Sequence, residues 1–500
     1  MSVCEMLKNP QEYIKHEFFK ANSVGFYLEA FVIAVALFIA LALVVDLLQI
    51  RVYAHDSVLY ETSFLYKLEA EGRWLNYLLF PVTSHFPGRV AVLSNLLFLS
   101  LFVFLVSKRW TGKAVYSILL SLLVIQVEPL MEALLWPVTS IALPILLLAA
   151  LVSPYINVYL FYICFGVLLF GTGSFYLLPL AHLQLFKNGQ FGQNIKILSF
   201  KILPGWALGF LAGFVFSLFM LYALTGQVGL QIQEWRQPNY IHSLHDLVAN
   251  TSNAFGSFQF YVSRIFYGFW RIFFMAAALL IGFYSTNKAE YLPAAILAFG
   301  IIVVHFILTI PTGITVSFRT TIAAWIGILV ILFFYPNIKE RQYFLLLPVL
   351  LFMMASFYRV NHYTLNYYSS ITNTYYDELV RVTPLPPHLY RGVIFLSSSA
   401  EVMQMNAFLI EKLQLKRGVM ESINEDFNWG AVAHEAGFKQ VTLCGKNHHE
   451  NSDECKSLYE EYRVAQATDP DHSGLYKVHG QKWGYLVVSL NKDLDVSELL

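Results

Sequence analysis

The sequence predicts an all-α polytopic membrane protein of about eleven transmembrane helices, ending in a small α/β domain outside the membrane. Three observations predict this class. The chain of 500 residues is 57% hydrophobic and only 13% charged, where soluble proteins are about 25% charged. Its mean hydropathy is +0.55, and its apolar runs reach the roughly 18 residues that mark a membrane span. From about residue 384 the runs shorten and alternate with polar residues, as in a soluble fold.

The N-terminal residues 1–22 are polar and carry Lys8, Lys15 and Lys20. They are expected to be a cytoplasmic segment. The next apolar run is too long for a signal-peptide core and lacks a small-residue cleavage site, so it reads as an uncleaved first span. Spans are expected near 27–50, 89–106, 115–128, 138–152, 155–171, 175–187, 203–225, 261–284, 291–311, 318–335 and 342–358. The third to sixth are short. Interruptions by Ser, Gly or Pro are tolerated because bundled helices re-satisfy the freed backbone groups. Lys and Arg bias orients the chain. Lys108, Arg109 and Lys113, then Lys187, Lys196 and Lys201, then Lys288, then Lys339 and Arg341 fall in alternate loops. With a cytoplasmic N-terminus, residues 51–88, 226–260 and everything after 358 lie on the outer side. The expected division is a membrane domain at 23–360, a Tyr-rich interfacial linker at 361–383 and an extracytoplasmic domain at 384–500.

The linker reads YRVNHYTLNYYSSITNTYYDELVR from Tyr358 onward. Its tyrosines fit an interfacial aromatic belt, with stacking on sugar rings as the other reading. In the tail, RGVIFLSSS and YLVVSL read as strands and AEVMQMNAFLIEKLQL as a helix. Cys444 and Cys455 flank the polar loop CGKNHHENSDEC. A tail outside the cytoplasm meets oxidising conditions, in which a disulfide persists. Free thiols, or a metal held with His448, His449, Glu450 and Asp453, are the alternatives. The repeat LLFPVTS at 78–84 and LLWPVTS at 134–140 is expected at the entry of inward-running helices, where Pro fixes φ and Thr or Ser caps the next helix. It reads equally as a remnant of duplicated hairpins.

Several classes are excluded or disfavoured. Zero net charge without a long basic tract argues against nucleic acid. There is no Walker motif, no GxSxG or HExxH, no intramembrane ladder of acids and bases, and no convincing repeat of the two halves. Charges beside the membrane are costly and usually functional. The first outer loop holds His55, Asp56, Glu61, Lys67, Glu69, Glu71, Arg73 and Arg89. Glu128 and Glu132 come next in VEPLMEALLWP, on one helical face if that loop is helical, where like charges need outside compensation. Then come Glu234, Arg236, His242, His245 and Asp246, and later Arg264, Arg271 and Arg319. Carboxylates just beyond the first span suit a general base that activates a hydroxyl. Arginines suit a phosphate through bidentate, charge-assisted bonds. Together they point to transfer of a group from a lipid-linked phosphate.

The chain resembles the serotype-converting O-antigen glucosyltransferases (Glucos_trans_II domain), integral-membrane glycosyltransferases of the GT-C class. The residues that carry the resemblance are His55-Asp56 and Gly72-Arg73-Trp74-Leu75 after the first span, GTGSFYLLP at 171–179, and VSFRT at 316–320. The similarity covers roughly residues 25–360. The family often has two adjacent acids where this chain has His-Asp, and a Gln where this chain has Leu177. The resemblance implies a GT-C-like fold and transfer of a sugar, usually glucose, from a polyprenyl-phosphate donor on the periplasmic face. The acceptor would be a hydroxyl of a lipid-linked O-antigen or similar surface glycan, with inversion at the anomeric carbon. It implies Asp56 as catalytic base and Arg73 and Arg319 as donor-phosphate ligands. Glu61, Glu128, Glu132 and Tyr176 would hold the acceptor or sugar. It further implies a bacterial inner-membrane location, work alongside donor-synthesising and flipping membrane proteins, and no cofactor or obligatory metal. A transporter or flippase of a lipid-linked glycan is the alternative, and it would not need Asp56. A surface-glycan acyltransferase would want a catalytic His in a span; His305 stands alone on an apolar face and reads as a packing residue.

Overall fold

The computed structural model describes residues 24–53, 65–83, 86–135, 142–231, 238–396, 399–415, 427–444, 455, 457–458, 460–461 and 475–490. The described chain is mostly helical. Five of its helices are long and apolar enough to cross a membrane, or up to seven spans if each of two sharply bent pairs counts as one.

Helix α1 (Val24–Gln49) carries no Lys or Arg and one acid near each end, Glu29 and Asp46. Two short helices come next, α2 (Leu65–Glu71) and α3 (Trp74–Thr83). Then come α4 (Gly88–Thr111), α5 (Ala114–Val124), α6 (Glu128–Leu134), α7 (Ala142–Val152) and α8 (Val158–Leu169). Helix α9 (Phe191–Ile197) passes through a π turn into α10 (Leu203–Thr225). The remaining bundle helices are α11 (Leu244–Ile265), α12 (Phe269–Ser285), α13 (Lys288–Ile307), α14 (Thr309–Thr312), α15 (Ile322–Phe333) and α16 (Glu340–Val382). Between α8 and α9 a 3-10 segment, Gly173–Phe186, runs through the centre of the bundle and packs on α4, α7, α8 and α13.

The cation-bearing loops meet at one end of this bundle. The Arg109 guanidinium bonds Ala150 O, and Lys187 Nζ donates to Arg109 O at 2.8 Å. Asn337 N donates to Trp110 O, and Asn194 Nδ2 to Ala289 O. Glu290, buried here, accepts from Asn188 N, Asn287 Nδ2 and Asn337 Nδ2. At the other end α2 and α3 close on α8 and α10. Gln231 N donates to Glu69 O, Gln227 Nε2 to Glu69 Oε1, and Trp74 Nε1 to Val167 O.

Helices α8 and α10 touch backbone to backbone through glycines. A Cβ on Gly209 would lie 2.4 Å from Tyr162 O, and one on Gly166 would lie 2.4 Å from Gly209 O. Small residues spaced four apart (Gly205, Gly209, Gly213) allow this approach, as membrane helices require where burial gives little drive.

Two expectations are corrected. The region 361–383 is not a linker. Helix α16 runs unbroken for 43 residues, about 64 Å at 1.5 Å per residue. That is roughly twice the hydrocarbon thickness of a bilayer. Tyr367, Tyr368 and Tyr375 are buried against protein rather than displayed as a belt. The first LLFPVTS copy does not open a helix either. Pro81 lies inside α3, and Thr83 Oγ1 donates back to Leu79 O and Phe80 O at its end. Of the second copy, Leu134 and Leu135 are described and residues 136–140 lie outside the described residues.

The tail holds β1 (Gly392–Leu396), α17 (Ser399–Lys412), α18 (Phe427–Glu435), β2 (Val441–Cys444), β3 (Tyr476–Lys482) and β4 (Tyr485–Leu490). The sheet order is β2-β1-β4-β3, with β1 parallel to β2 and β4 and with β3 antiparallel to β4. β1 is buried throughout because it is central and apolar. The sheet seats on the far half of α16. Tyr375 Oη donates to Asn406 Oδ1, Tyr476 Oη to Tyr375 O, and Leu475 N to Glu378 Oε2. Burial, and then its neighbours Tyr375 and Glu378, push the Tyr476 phenol well above its ordinary range, so it stays a donor. Cys444 and Cys455 form a disulfide.

Candidate active site

The chain breaks after α5. Ile125-Gln126-Val127 leaves the helix, and α6 restarts at 62° to it. Pro129 in the first turn of α6 explains the restart, since its missing N–H and fixed φ suit that position and no helix interior. The carbonyl freed at the break is not orphaned: Asn361 Nδ2 of α16 donates to Gln126 O at 2.7 Å.

Glu128 and Glu132 both lie on α6, four residues apart and buried. The compensation that such a pair needs comes from α12. Arg271 Nη2 lies 2.7 Å from Glu128 Oε1, with both side chains nearly inaccessible. Arg271 Nε also donates to Ser356 Oγ at 2.7 Å, Nη1 to Arg264 O and Nη2 to Ser356 O, and its guanidinium lies 4.8 Å from the Phe357 ring. One arginine therefore ties the α11–α12 bend and α16 to α6. Arg264, half-buried over the Phe260 ring at 5.0 Å, adds a second positive charge that acts on Glu128. The 3-10 turn Phe318–Thr321 packs on α6 and carries the half-buried Arg319.

The structure thus brings Glu128, Glu132 and the Arg319 turn to one place. Arg73 stands among other elements, at the turn between α2 and α3. Its Nε lies 2.8 Å from Glu71 Oε2 and donates to Gly171 O at 2.7 Å, while Glu71 also takes Lys67. A phosphate there would compete with Glu71, so Arg73 reads first as the pin between the GRWL turn and the end of α8. Tyr176 lies on the 3-10 segment, against Trp206 and His305. Asp56 and Glu61 lie outside the described residues, as do His448, His449, Glu450 and Asp453. Among the described residues, no group of three or more His, Cys, Asp or Glu gathers to hold a metal.

Sequence reasoning places Arg264 and Arg271 among the candidate phosphate arginines of the outer side, but does not find the pairing of Arg271 with Glu128. The signal is present in FWRIFF: an arginine within a helical apolar run requires a buried acid or water. Comparison of the chain with protein-family models, with curated proteins and with solved structures gives no match.

Proposed function

We propose that the chain is an integral-membrane glycosyltransferase that moves a sugar, first of all glucose, from a polyprenyl-phosphate donor to a hydroxyl of a lipid-linked surface glycan. The observation that carries this reading is the buried Glu128–Arg271 pair between α6 and α12, with Arg264 acting on Glu128 and the Arg319 turn packed on α6. Burying such a set costs desolvation energy that well-packed apolar residues would not. Handling an anionic substrate is a function that offsets it. The phosphate is assigned to Arg319, on the turn packed against α6, and to Arg264.

In this reading Asp56 accepts the proton of the acceptor hydroxyl. The oxygen attacks the anomeric carbon from the face opposite the phosphate. The carbon–oxygen bond to phosphate breaks, and its electron pair leaves with the polyprenyl phosphate. Arg319, with Arg264, holds the charge that develops there. Glu132 and Glu61 orient acceptor hydroxyls. The fold proposed for this chemistry is GT-C-like, with eleven passes in the bacterial inner membrane. The gathering of the cationic loops at one bundle end supports that count, with the N-terminus cytoplasmic and the tail periplasmic.

The test is a transfer assay in membranes with polyprenyl-phosphate glucose and a lipid-linked acceptor. Asp56→Asn should abolish transfer with insertion intact, and full activity in that variant would remove the assignment. Reporter fusions at residues 110 and 400 should fall on opposite sides of the membrane. Both on one side would end the eleven-pass topology.

A further inference from the structure

Helix α11 crosses the end of the bundle instead of running along it. Ser243 starts it: its side chain accepts from Asp246 N, as a serine N-cap does. At the other end Gly268, with φ +85°, leads the chain through an 89° bend into α12. Three rulers set the level of this bend. Helix α12 has 17 residues, about 25 Å at 1.5 Å per residue, between the bend and the loop that holds Lys288. On α16, Arg271 reaches Ser356, about 24 Å from the helix start at Glu340. On α13, Phe306 meets Phe258 and Tyr261 of α11 at 5.4 and 5.3 Å, about 27 Å from Lys288. Lys288 and Glu340 belong to the cation-bearing end. The hydrocarbon core of a bilayer is about 30 Å thick, so α11 lies at its opposite boundary.

The helix presents three faces. The first is buried: Asn250, Ala254, Tyr261 and Ile265. Asn250 Nδ2 donates to Ile310 O at 2.9 Å, and Tyr261 Oη to Ala324 O at 2.7 Å. The second is polar and exposed, with His245, Asn253 and Ser263. The third is apolar and just as exposed. Leu244, Val248 and Phe255 recur at four and seven residues, which puts them on one stripe, and they are 76%, 62% and 66% exposed. Apolar area of that kind is unfavourable in water. It continues around the bend, where Tyr267, Phe269 and Trp270 are exposed. Trp and Tyr at this level match the aromatic belt of a membrane boundary.

We infer that α11 is an interfacial helix: it lies in the plane of the leaflet opposite the cation-bearing loops, with Leu244, Val248 and Phe255 seated in the acyl boundary. Helix α12 alone then makes the crossing expected near 261–284. Charge and continuity select the lipid as occupant. A helix drawn to anionic headgroups is rich in Lys and Arg on its polar face. Helix α11 has no Lys and one Arg, so apolar burial holds it and headgroup charge does not. A folded partner protein on the stripe would have to stop at the bend, because the exposed apolar surface runs on along α12 through Phe273 and Leu280. Arg264 lies nine residues past Phe255. That is two and a half turns, so it leaves the helix on the side away from the hydrocarbon, at the level of lipid phosphates. Nothing in this placement requires the chain to transfer sugar.

The test places single nitroxide labels on the full chain in lipid nanodiscs, in a Cys4→Ser, Cys164→Ser background with the Cys444–Cys455 disulfide closed. Val248→Cys and Phe255→Cys report the stripe, Asn253→Cys and Ser263→Cys the polar face, and Leu280→Cys the hydrocarbon-facing flank of α12. All five positions are exposed, so the labels require no repacking. Collisions with a water-soluble nickel chelate should be lost at 248 and 255 relative to 253 and 263, while collisions with oxygen rise toward the level at 280. Nanodiscs of phosphatidylcholine alone, or with added phosphatidylglycerol, should give the same result. Nickel collisions at 248 and 255 as frequent as at 253 and 263 overturn the inference, because the stripe then stands in water. Protection of all four positions overturns it too, because α11 is then sunk in the bilayer or covered by protein. Protection that appears only with phosphatidylglycerol overturns the apolar seat. Sugar transfer measured in the same nanodiscs separates the two readings. A water-facing stripe in active protein keeps the enzyme and loses the placement, and a seated stripe in inactive protein does the reverse.

Discussion

At the scale of single residues, the Glu128–Arg271 pair makes the sharpest prediction. Both partners are almost wholly inaccessible, at 5% and 3% of side-chain exposure. Removing one leaves the other charge buried and uncompensated, at a cost of about 3–5 kcal/mol. Glu128→Gln and Arg271→Met should each lower the thermal midpoint of the detergent-solubilised protein by several degrees. The double variant should recover part of that loss, because no lone charge remains. Strict additivity would show that the two residues do not act as a pair. In the tail, Cys444 and Cys455 close a loop with a sequence separation of 11. Opening a loop of that size costs about 3 kcal/mol in the chain-entropy account. Alkylation should label both thiols only after reduction, and the Cys444→Ser, Cys455→Ser chain should unfold its tail at lower denaturant. The carboxylates were legible individually, as charges in costly positions. Their partner was not, because Arg271 lies far along the chain and sequence spacing carries no sign of a contact between helices.

At the scale of elements, the α8–α10 crossing depends on glycine. A side chain at Gly209 would run into the backbone of Tyr162, so Gly209→Leu must push the helices apart. It should expose this pair to proteolysis in detergent and reduce expression. Gly256 on α11 faces open space, so Gly256→Ala there should be neutral or stabilise by up to about 1 kcal/mol. Equal effects at both sites would mean that the crossing does not depend on close approach. Apolar run lengths made the bundle helices readable, even the short ones at α5, α7 and α8. They could not show that α16 continues past Arg359. The sequence there is rich in Tyr, Asn, Ser and Thr, which are indifferent helix formers. What holds it helical is tertiary: Tyr368, Thr372 and Tyr375 are buried, and Arg51 at the end of α1 pairs with Asp377 at 2.9 Å. The strands β2 and β3 escaped for a related reason. One is four residues long, and the other alternates weakly, so neither shows a clear period of two.

At the scale of the whole molecule, α16 joins two bodies that composition alone separates at residue 384. Its first half packs in the bundle, and its second half forms part of the tail's core. Asp46 of α1 meets His362 at 2.9 Å just where the helix leaves the bundle. Asn366→Pro would remove a helical hydrogen bond beyond this contact and cost about 3 kcal/mol. Hydrogen exchange should then rise along residues 367–382 while the bundle stays protected. Uniform protection would show that the tail needs no continuous helix.

A flexible tether would let the tail roam over a wide volume, but a helical rod does not. From Arg359 to Val382 the rod is about 35 Å long at 1.5 Å per residue, and the sheet is bonded to it near its end. The tail is therefore held at a set height and a set rotation relative to the bundle. A change in the length or straightness of α16 would therefore move the whole tail with it.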